Sequence, residues 1–107
     1  MSKENIALTE AVFYILLSLY SPLHGYGIMQ KVSELSSERV NLAAGTLYGA
    51  LNTMLEKRWI SALPGEKNSR KKQYEITEIG KEMAEDELLR LKELVTNGEM
   101  IIRGEGK

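Results

Sequence analysis

The chain has 107 residues, which suits one small domain, and its 43% hydrophobic and 27% charged residues are ordinary for a globular protein. It contains no cysteine, which excludes disulfide bonds and thiolate metal sites and favours a cytoplasmic location. The net charge is only −1, but residues 41–77 carry +3 between flanks of −1 and −3, a weak indication of an anionic partner.

The first helix is predicted over residues 8–20, with Thr9 as its N-cap. Its apolar run, residues 11–20, is too short to span a bilayer, and no membrane association is expected. Apolar side chains occupy nearly the whole circumference, which is typical of a helix buried on more than one side. In so small a chain, a second subunit is expected to cover one of those sides.

Residues 21–25, with Pro22 and Gly25, are predicted to form a turn. A second helix follows at about 25–36, with an apolar set of Tyr26, Ile28, Met29, Val32 and Leu35. The polar stretch 36–41 ends that pattern. A third helix is predicted at about 44–57.

The two faces of the third helix have different compositions. Leu47, Leu51 and Met54 recur at helical spacing and are predicted core. The opposite face, which we call the outer face, consists of Thr46, Tyr48, Gly49, Asn52 and Thr53, with Glu56 beside them. Threonine, tyrosine and asparagine can donate hydrogen bonds to phosphates or base edges, and asparagine suits adenine. A plain solvated face has the same composition, so both interpretations stay open.

Two glycines, Gly45 and Gly49, cost this helix roughly 1 kcal/mol each relative to alanine. On a helix lying against a DNA duplex, missing side chains would allow close approach. The alternatives are a helix-start position for Gly45 and close packing against another protein element for Gly49. The glycine pair is no phosphate loop, because the G-x-x-x-x-G-K-[ST] pattern is absent.

A β-hairpin is predicted from alternating residues in 59–63 and 73–77, joined by the charged connector 64–72. The connector supplies the cations Lys67, Arg70, Lys71 and Lys72. Such a tip can bind phosphates or simply be solvated.

Thr77 is predicted to cap a fourth helix that continues to about Val95. Its apolar positions repeat at spacings of 4 and 3, a heptad pattern suited to a partner helix: Ala84, Leu88, Leu91, Val95, Gly98 and Ile102. Asn97 and Gly98 leave the end of this helix open.

The order helix, helix, turn, helix, basic hairpin, long helix predicts a mainly α fold with a small β-hairpin. This is the layout of a winged helix-turn-helix at residues 1–78, followed by a dimerisation helix and tail at 79–107. In such a fold the third helix reads the major groove and the hairpin lies along the backbone or minor groove.

Three segments make the sequence resemble the PadR family of transcriptional regulators, in particular its short members with one carboxy-terminal dimerisation helix. They are "HGYGIMQKV" (24–32), "GTLYGALNTML" (45–55) and "RKKQYEITEIGKE" (70–82). The resemblance implies a dimeric repressor of an inverted-repeat operator near its own or a neighbouring promoter. Many such proteins control efflux or detoxification genes, and some bind aromatic effectors.

The resemblance also implies roles for individual residues. Thr46 and Tyr48 belong to the recognition helix, and Arg70, Lys71 and Lys72 of the wing face phosphates. The first and last helices form the dimer, for which we expect the following residues: Val12, Phe13, Leu16, Ala84, Leu88, Leu91 and Val95. An effector pocket would draw on Phe13, Tyr14 and Tyr20, because the last helix has no aromatic residue.

The chain departs from the family pattern at two helix ends. Arg58 stands where the family usually has a helix-ending glycine, and Ala43 where a capping serine is frequent. A left-handed Arg58 would cost about 1 kcal/mol.

Single residues add little chemistry. The lone histidine, His24, is expected to make a turn or capping contact, and Trp59 to pack rather than to stack on a ligand. We expect no metal or cofactor. The main alternative to a DNA-binding repressor is a winged-helix adaptor for another protein, and a small enzyme has no catalytic constellation to support it.

Overall fold

A computed structural model describes residues 7–64 and 72–104. The elements follow the chain as α1 (Glu10–Ser18), β1 (Leu23–His24), α2 (Gly25–Leu35), α3 (Ala44–Glu56), β2 (Ile60–Leu63), β3 (Gln73–Ile76) and α4 (Glu78–Ile102). The predicted fold class, mainly α with a small β-hairpin and a long final helix, is confirmed. The division into parts at residue 78 stays a prediction.

The core lies where α1, α2 and α3 meet the sheet. Its fully buried side chains come from all of these elements: Ile15, Leu16, Leu19, Ile28, Val32, Leu47, Leu51, Met54 and Ile60. The predicted inner face of α3 is therefore correct. The apolar set of α2 is correct only in part, because Tyr26 is 62% exposed and Leu35 is 42% exposed.

The sheet has three antiparallel strands in the order β1-β3-β2. Residues 60–63 pair with 73–76 as the predicted hairpin requires. The strand β1 was missed, because two residues cannot show a period-two pattern and their flanking proline and glycine indicate a turn. In β1, Leu23 pairs with Tyr74 and His24 with Gln73, which joins the start of α2 to the hairpin.

Side chains cap three of the four helices. The Thr9 hydroxyl accepts a hydrogen bond from Val12 N, and His24 Nδ1 accepts one from Gly27 N at 3.2 Å. The Thr77 hydroxyl accepts from Gly80 N at 3.0 Å. These three caps confirm the roles predicted for Thr9, His24 and Thr77. Ala43, at the N-cap of α3, makes no side-chain cap.

The end of α3 is a complete Schellman motif around Arg58, whose φ is +65°. Arg58 N donates to Leu55 O and Trp59 N donates to Met54 O, both at 3.0 Å. These are the two bonds that a left-handed residue after a helix makes possible. Arg58 therefore occupies the position where glycine is favoured, and it bears the steric cost of its Cβ there.

The start of α4 approaches the hairpin closely at Gly80. A Cβ on Gly80 would lie 2.7 Å from Ile76 Cγ1 and closer still to the carbonyl oxygen of Trp59. The helix then packs on α1, and it runs without a break through Asn97 and Gly98 to Ile102. The end that the sequence left open is thus settled in favour of a continuous helix.

A buried carboxylate joins α4 to α1. Glu87 is 3% exposed, and it pairs with Arg90 at 2.7 Å and accepts a hydrogen bond from Leu8 N at 3.4 Å. The hydrogen bond from Arg90 lowers the pKa of Glu87; burial opposes the shift, and the Leu8 N–H supports it. The charged form of Glu87 is therefore the one that the fold stabilises.

Candidate nucleic-acid interface

The outer face of α3 is open to solvent in the subunit. All five of its residues, Thr46, Tyr48, Gly49, Asn52 and Thr53, are exposed. The Thr53 hydroxyl donates to Gly49 O at 3.3 Å, so one of the four polar side chains of this face is partly used within the helix. Because the opposite face lies in the core, α3 is held rigidly while its polar face stays available for a partner.

The two glycines of α3 leave gaps on that surface. At both Gly45 and Gly49, no atom outside the adjoining residues and backbone of α3 lies within 4 Å of where a Cβ would stand. Gly49 is therefore not explained by close packing within the described subunit. A backbone without side chains on an exposed helix face permits the close approach of a large flat partner.

Tyr48 lies at the edge of the outer face rather than at its centre. Its side chain is 44% exposed. The ring lies over the backbone of Gly25, where a Cβ would be 2.8 Å from Tyr48 Cζ. The residue thus has one side against α2 and one side in solvent.

Of the four cations predicted for the hairpin tip, only Lys72 lies within the described residues. Lys72 is exposed and directly precedes β3. Lys67, Arg70 and Lys71 lie outside the described residues.

Two of the predicted dimer residues are buried within their own subunit. Leu16 is fully buried in the core and Ala84 of α4 is only 4% exposed, so neither is available to a partner. This corrects the prediction. The apolar pattern of α1 is explained in part by intramolecular packing, and the heptad pattern of α4 begins with a residue buried within the subunit.

The remaining dimer residues of α4 are accessible. Leu88 is 42% exposed and Val95 is 58% exposed, and both line a shallow groove of about 380 Å³ with Leu91. We call these three residues the apolar seam. Val12 and Phe13 of α1 are half-buried.

The aromatic residues expected at an effector pocket face different elements. Tyr14 lies near Arg39, whose pKa is raised first by Glu10 and to a smaller extent by Tyr14. Tyr20 lies beneath Lys81, whose Nζ is 5.9 Å from the centre of the Tyr20 ring. A different apolar cavity, of about 290 Å³, lies between the start of α1 and the end of α3, with Trp59 and Lys57 at its edge. Phe13, Tyr14 and Tyr20 do not line that cavity.

Comparison with known proteins assigns the family. The model of the transcriptional regulator PadR-like family matches residues 13–86, from α1 into α4. The chain belongs to the PadR-like family of transcriptional regulators. As a member, it is a regulator and not an enzyme. No curated protein is significantly similar to the chain.

Solved structures of PadR-like proteins share the fold. A PadR family transcription regulator from hypervirulent Clostridium difficile aligns with a TM-score of 0.76 and 23% identity, over 88% of this chain and 99% of that one. A PadR family regulator from Eggerthella lenta aligns with a TM-score of 0.71 and 18% identity, over 85% and 80%. Bacillus subtilis PadR, solved in complex with operator DNA, aligns with a TM-score of 0.60 and 26% identity, over 72% of this chain but only 45% of that one.

Within the residues that the structure describes, no helix has the length and hydrophobicity needed to cross a membrane.

Proposed function

We propose that this PadR-like protein is a dimeric repressor that binds an inverted-repeat operator of its own or a neighbouring operon, such as one for efflux or stress response. The single observation that supports this best is the exposed outer face of α3. That face combines hydrogen-bond donors with two glycine gaps on a helix whose other face is fixed in the core. The similarity to Bacillus subtilis PadR, which was solved with operator DNA, supports the same partner here.

In this proposal the contacts divide into two kinds. Asn52, near the centre of the outer face, reads a base edge, and Thr46, Tyr48 and Thr53 bind phosphates or base edges at its margins. Lys72, together with Lys67, Arg70 and Lys71, binds the phosphate backbone through the wing. Gly49 lets the helix backbone approach the groove.

The dimer is proposed to form through the apolar seam of α4, with Val12 and Phe13 of α1. Leu88 and Val95 are exposed in a groove of about 380 Å³, and their contact with water is unfavourable in free energy. A second copy of the same helix is complementary to this groove. Val95→Asp is expected to convert the dimer to monomers in size-exclusion chromatography with light scattering. A wild-type monomer at micromolar concentration would contradict the proposed dimer.

DNA binding is tested with a labelled duplex from the region upstream of the gene, by fluorescence anisotropy at several salt concentrations. The affinity should fall steeply with salt, because each neutralised phosphate releases counterions. Lys72→Ala should reduce the slope of log K against log salt by about 2 per dimer, one for each copy. Arg103→Ala removes an equal charge at the end of α4 and serves as the matched control.

Base reading is tested separately through Asn52→Ala. This variant should lose about 1–3 kcal/mol of binding free energy on the operator and much less on unrelated DNA. Equal losses on both duplexes would contradict a base contact by Asn52.

The adaptor alternative is favoured by one observation, the exposed Glu56 at the end of the outer face. A carboxylate there repels phosphate and suits a basic protein partner. The absence of binding to every fragment of the surrounding operon at low salt would support the adaptor and overturn the repressor.

An efflux or stress operon beside the gene is tested by a promoter–reporter fusion, whose expression should rise when the gene is deleted.

A further inference from the structure

The side chain of Tyr48 occupies space that only a glycine at position 25 leaves free. A Cβ on Gly25 would lie 2.8 Å from Tyr48 Cζ, 3.4 Å from Cε1, and closer still to the hydroxyl oxygen. Cβ atoms essentially never approach a heavy atom of a non-neighbouring residue to less than 3.0 Å. Gly25 itself is buried, so its own backbone is not available to a DNA duplex.

The position of this contact links three elements of the proposed DNA-binding surface. Gly25 is the first residue of α2, and β1 directly before it pairs with β3 of the wing. Tyr74, the residue of β3 opposite Leu23, is 7% exposed. Burial raises the pKa of Tyr74, and the charge of Tyr48 adds to the shift. The Tyr48 ring thus lies between α3 and the start of α2, directly after the short strand that pairs with the wing strand β3.

The Tyr48 ring borders on solvent, into which it could be displaced. Its side chain is 44% exposed, and the atoms nearest to the Gly25 position are those at the free end of the ring. A methyl group at residue 25 would push the ring toward solvent rather than displace a backbone. The displaced ring would change the shape of the outer face of α3, to which Tyr48 belongs.

We propose that Gly25 is a positioning residue for DNA binding, which acts by holding the Tyr48 ring against the start of α2 beside the wing strand. The held ring fixes how α3 and the wing present their groups to the duplex. The inference rests on the proposed DNA-binding function and deepens it, because it adds a buried residue that cannot touch DNA to the binding machinery.

The test is a double-mutant cycle on operator affinity with Gly25→Ala, Tyr48→Ala and the double variant. Each single variant should bind about tenfold more weakly than wild type, and the double variant no more weakly than Tyr48→Ala, because contacting residues are coupled. Gly27→Ala is the matched control. It lies in the same helix, and the three atoms nearest to its Cβ would belong to Leu23 and His24, the closest being Leu23 Cδ2 at 3.3 Å. It should bind within about twofold of wild type, too small a change to indicate a lost contact.

Two readouts separate positioning from a general structural effect. In NMR spectra of the free protein, the Tyr48 ring signals should move toward those of a solvent-exposed tyrosine in Gly25→Ala and not in Gly27→Ala. The variant Tyr48→Phe keeps the ring in place, so it should bind at least about threefold more tightly than Tyr48→Ala, consistent with retained ring packing. This second comparison decides the question even if Gly25→Ala folds poorly.

The outcomes distinguish a failure of the positioning role from a failure of the proposed DNA-binding function. No wild-type binding to any operon fragment would overturn the proposed function and, with it, the positioning role. Wild-type binding with additive losses in the cycle, with unmoved Tyr48 signals, or with Tyr48→Phe as weak as Tyr48→Ala would overturn only the positioning role.

Discussion

Replacing Arg58 with glycine should stabilise the fold. Arg58 has a φ of +65° in the Schellman motif that ends α3, a conformation that costs an L-residue with a Cβ roughly 1–2 kcal/mol. Glycine removes that strain, although its greater freedom in the unfolded chain cancels about 0.5–1 kcal/mol. The two backbone bonds of the motif, to Leu55 O and Met54 O, do not involve the arginine side chain and should persist. We expect a net gain of about 0.5–1 kcal/mol.

The gain corresponds to a Tm increase of roughly 2–4 °C for a domain of this size, measurable by circular dichroism or calorimetry. Arg58→Ala is the control, because it removes the guanidinium group and keeps the Cβ at positive φ. An equal rise in Tm for Arg58→Ala and Arg58→Gly would refute the backbone argument and assign the effect to the charge. If the guanidinium reaches DNA, both variants should bind the operator more weakly.

Three further variants probe other parts of the molecule. Gly80→Ala should destabilise the protein by about 2 kcal/mol in urea unfolding, because the new Cβ meets the backbone of Trp59; an unchanged midpoint would contradict that close approach. Gly49→Ala should raise the Tm, since alanine favours the helix by about 1 kcal/mol, yet weaken operator binding; unchanged affinity would remove Gly49 from the interface. Glu87→Gln should lower stability at pH 7. The pKa of Glu87 is lowered from 4.5 in the folded state, so its charge stabilises the fold fully above about pH 4.5. This stabilisation is lost as the pH falls through the lowered folded-state pKa, and wild type and variant should therefore converge in acid unfolding curves.

The sequence predicted the elements whose patterns are long and regular. The apolar repeat in α3 fixed which face is core, and the alternation in residues 59–63 and 73–77 fixed the hairpin. Thr9, His24 and Thr77 were placed correctly because a capping side chain acts on residues three positions away. Such local chemistry can be read without knowledge of the fold.

What the sequence could not provide depends on contacts between distant residues. A two-residue strand such as β1 exists only because β3 lies beside it. A heptad pattern does not say which of its positions face the same subunit, so Ala84 was assigned to the dimer although it is buried within its own subunit. Likewise, Tyr48 looked like a DNA contact alone, and only the folded chain shows it over Gly25. The interactions of Glu87 with Leu8 span 79 positions and leave no periodic signal.

The uninterrupted α4 would make the secondary structure of this protein depend on its concentration if the chain forms the proposed dimer. Its last turns, from Leu94 at 52% exposure to Ile102 at 79%, extend beyond the body of the subunit. A helical segment of that length without tertiary support is marginal in water. If a second copy covers it, folding of the last turns and association become one equilibrium. Dilution would then shorten the helix as well as separate the subunits, and the cell could adjust the amount of ordered regulator simply through its rate of synthesis.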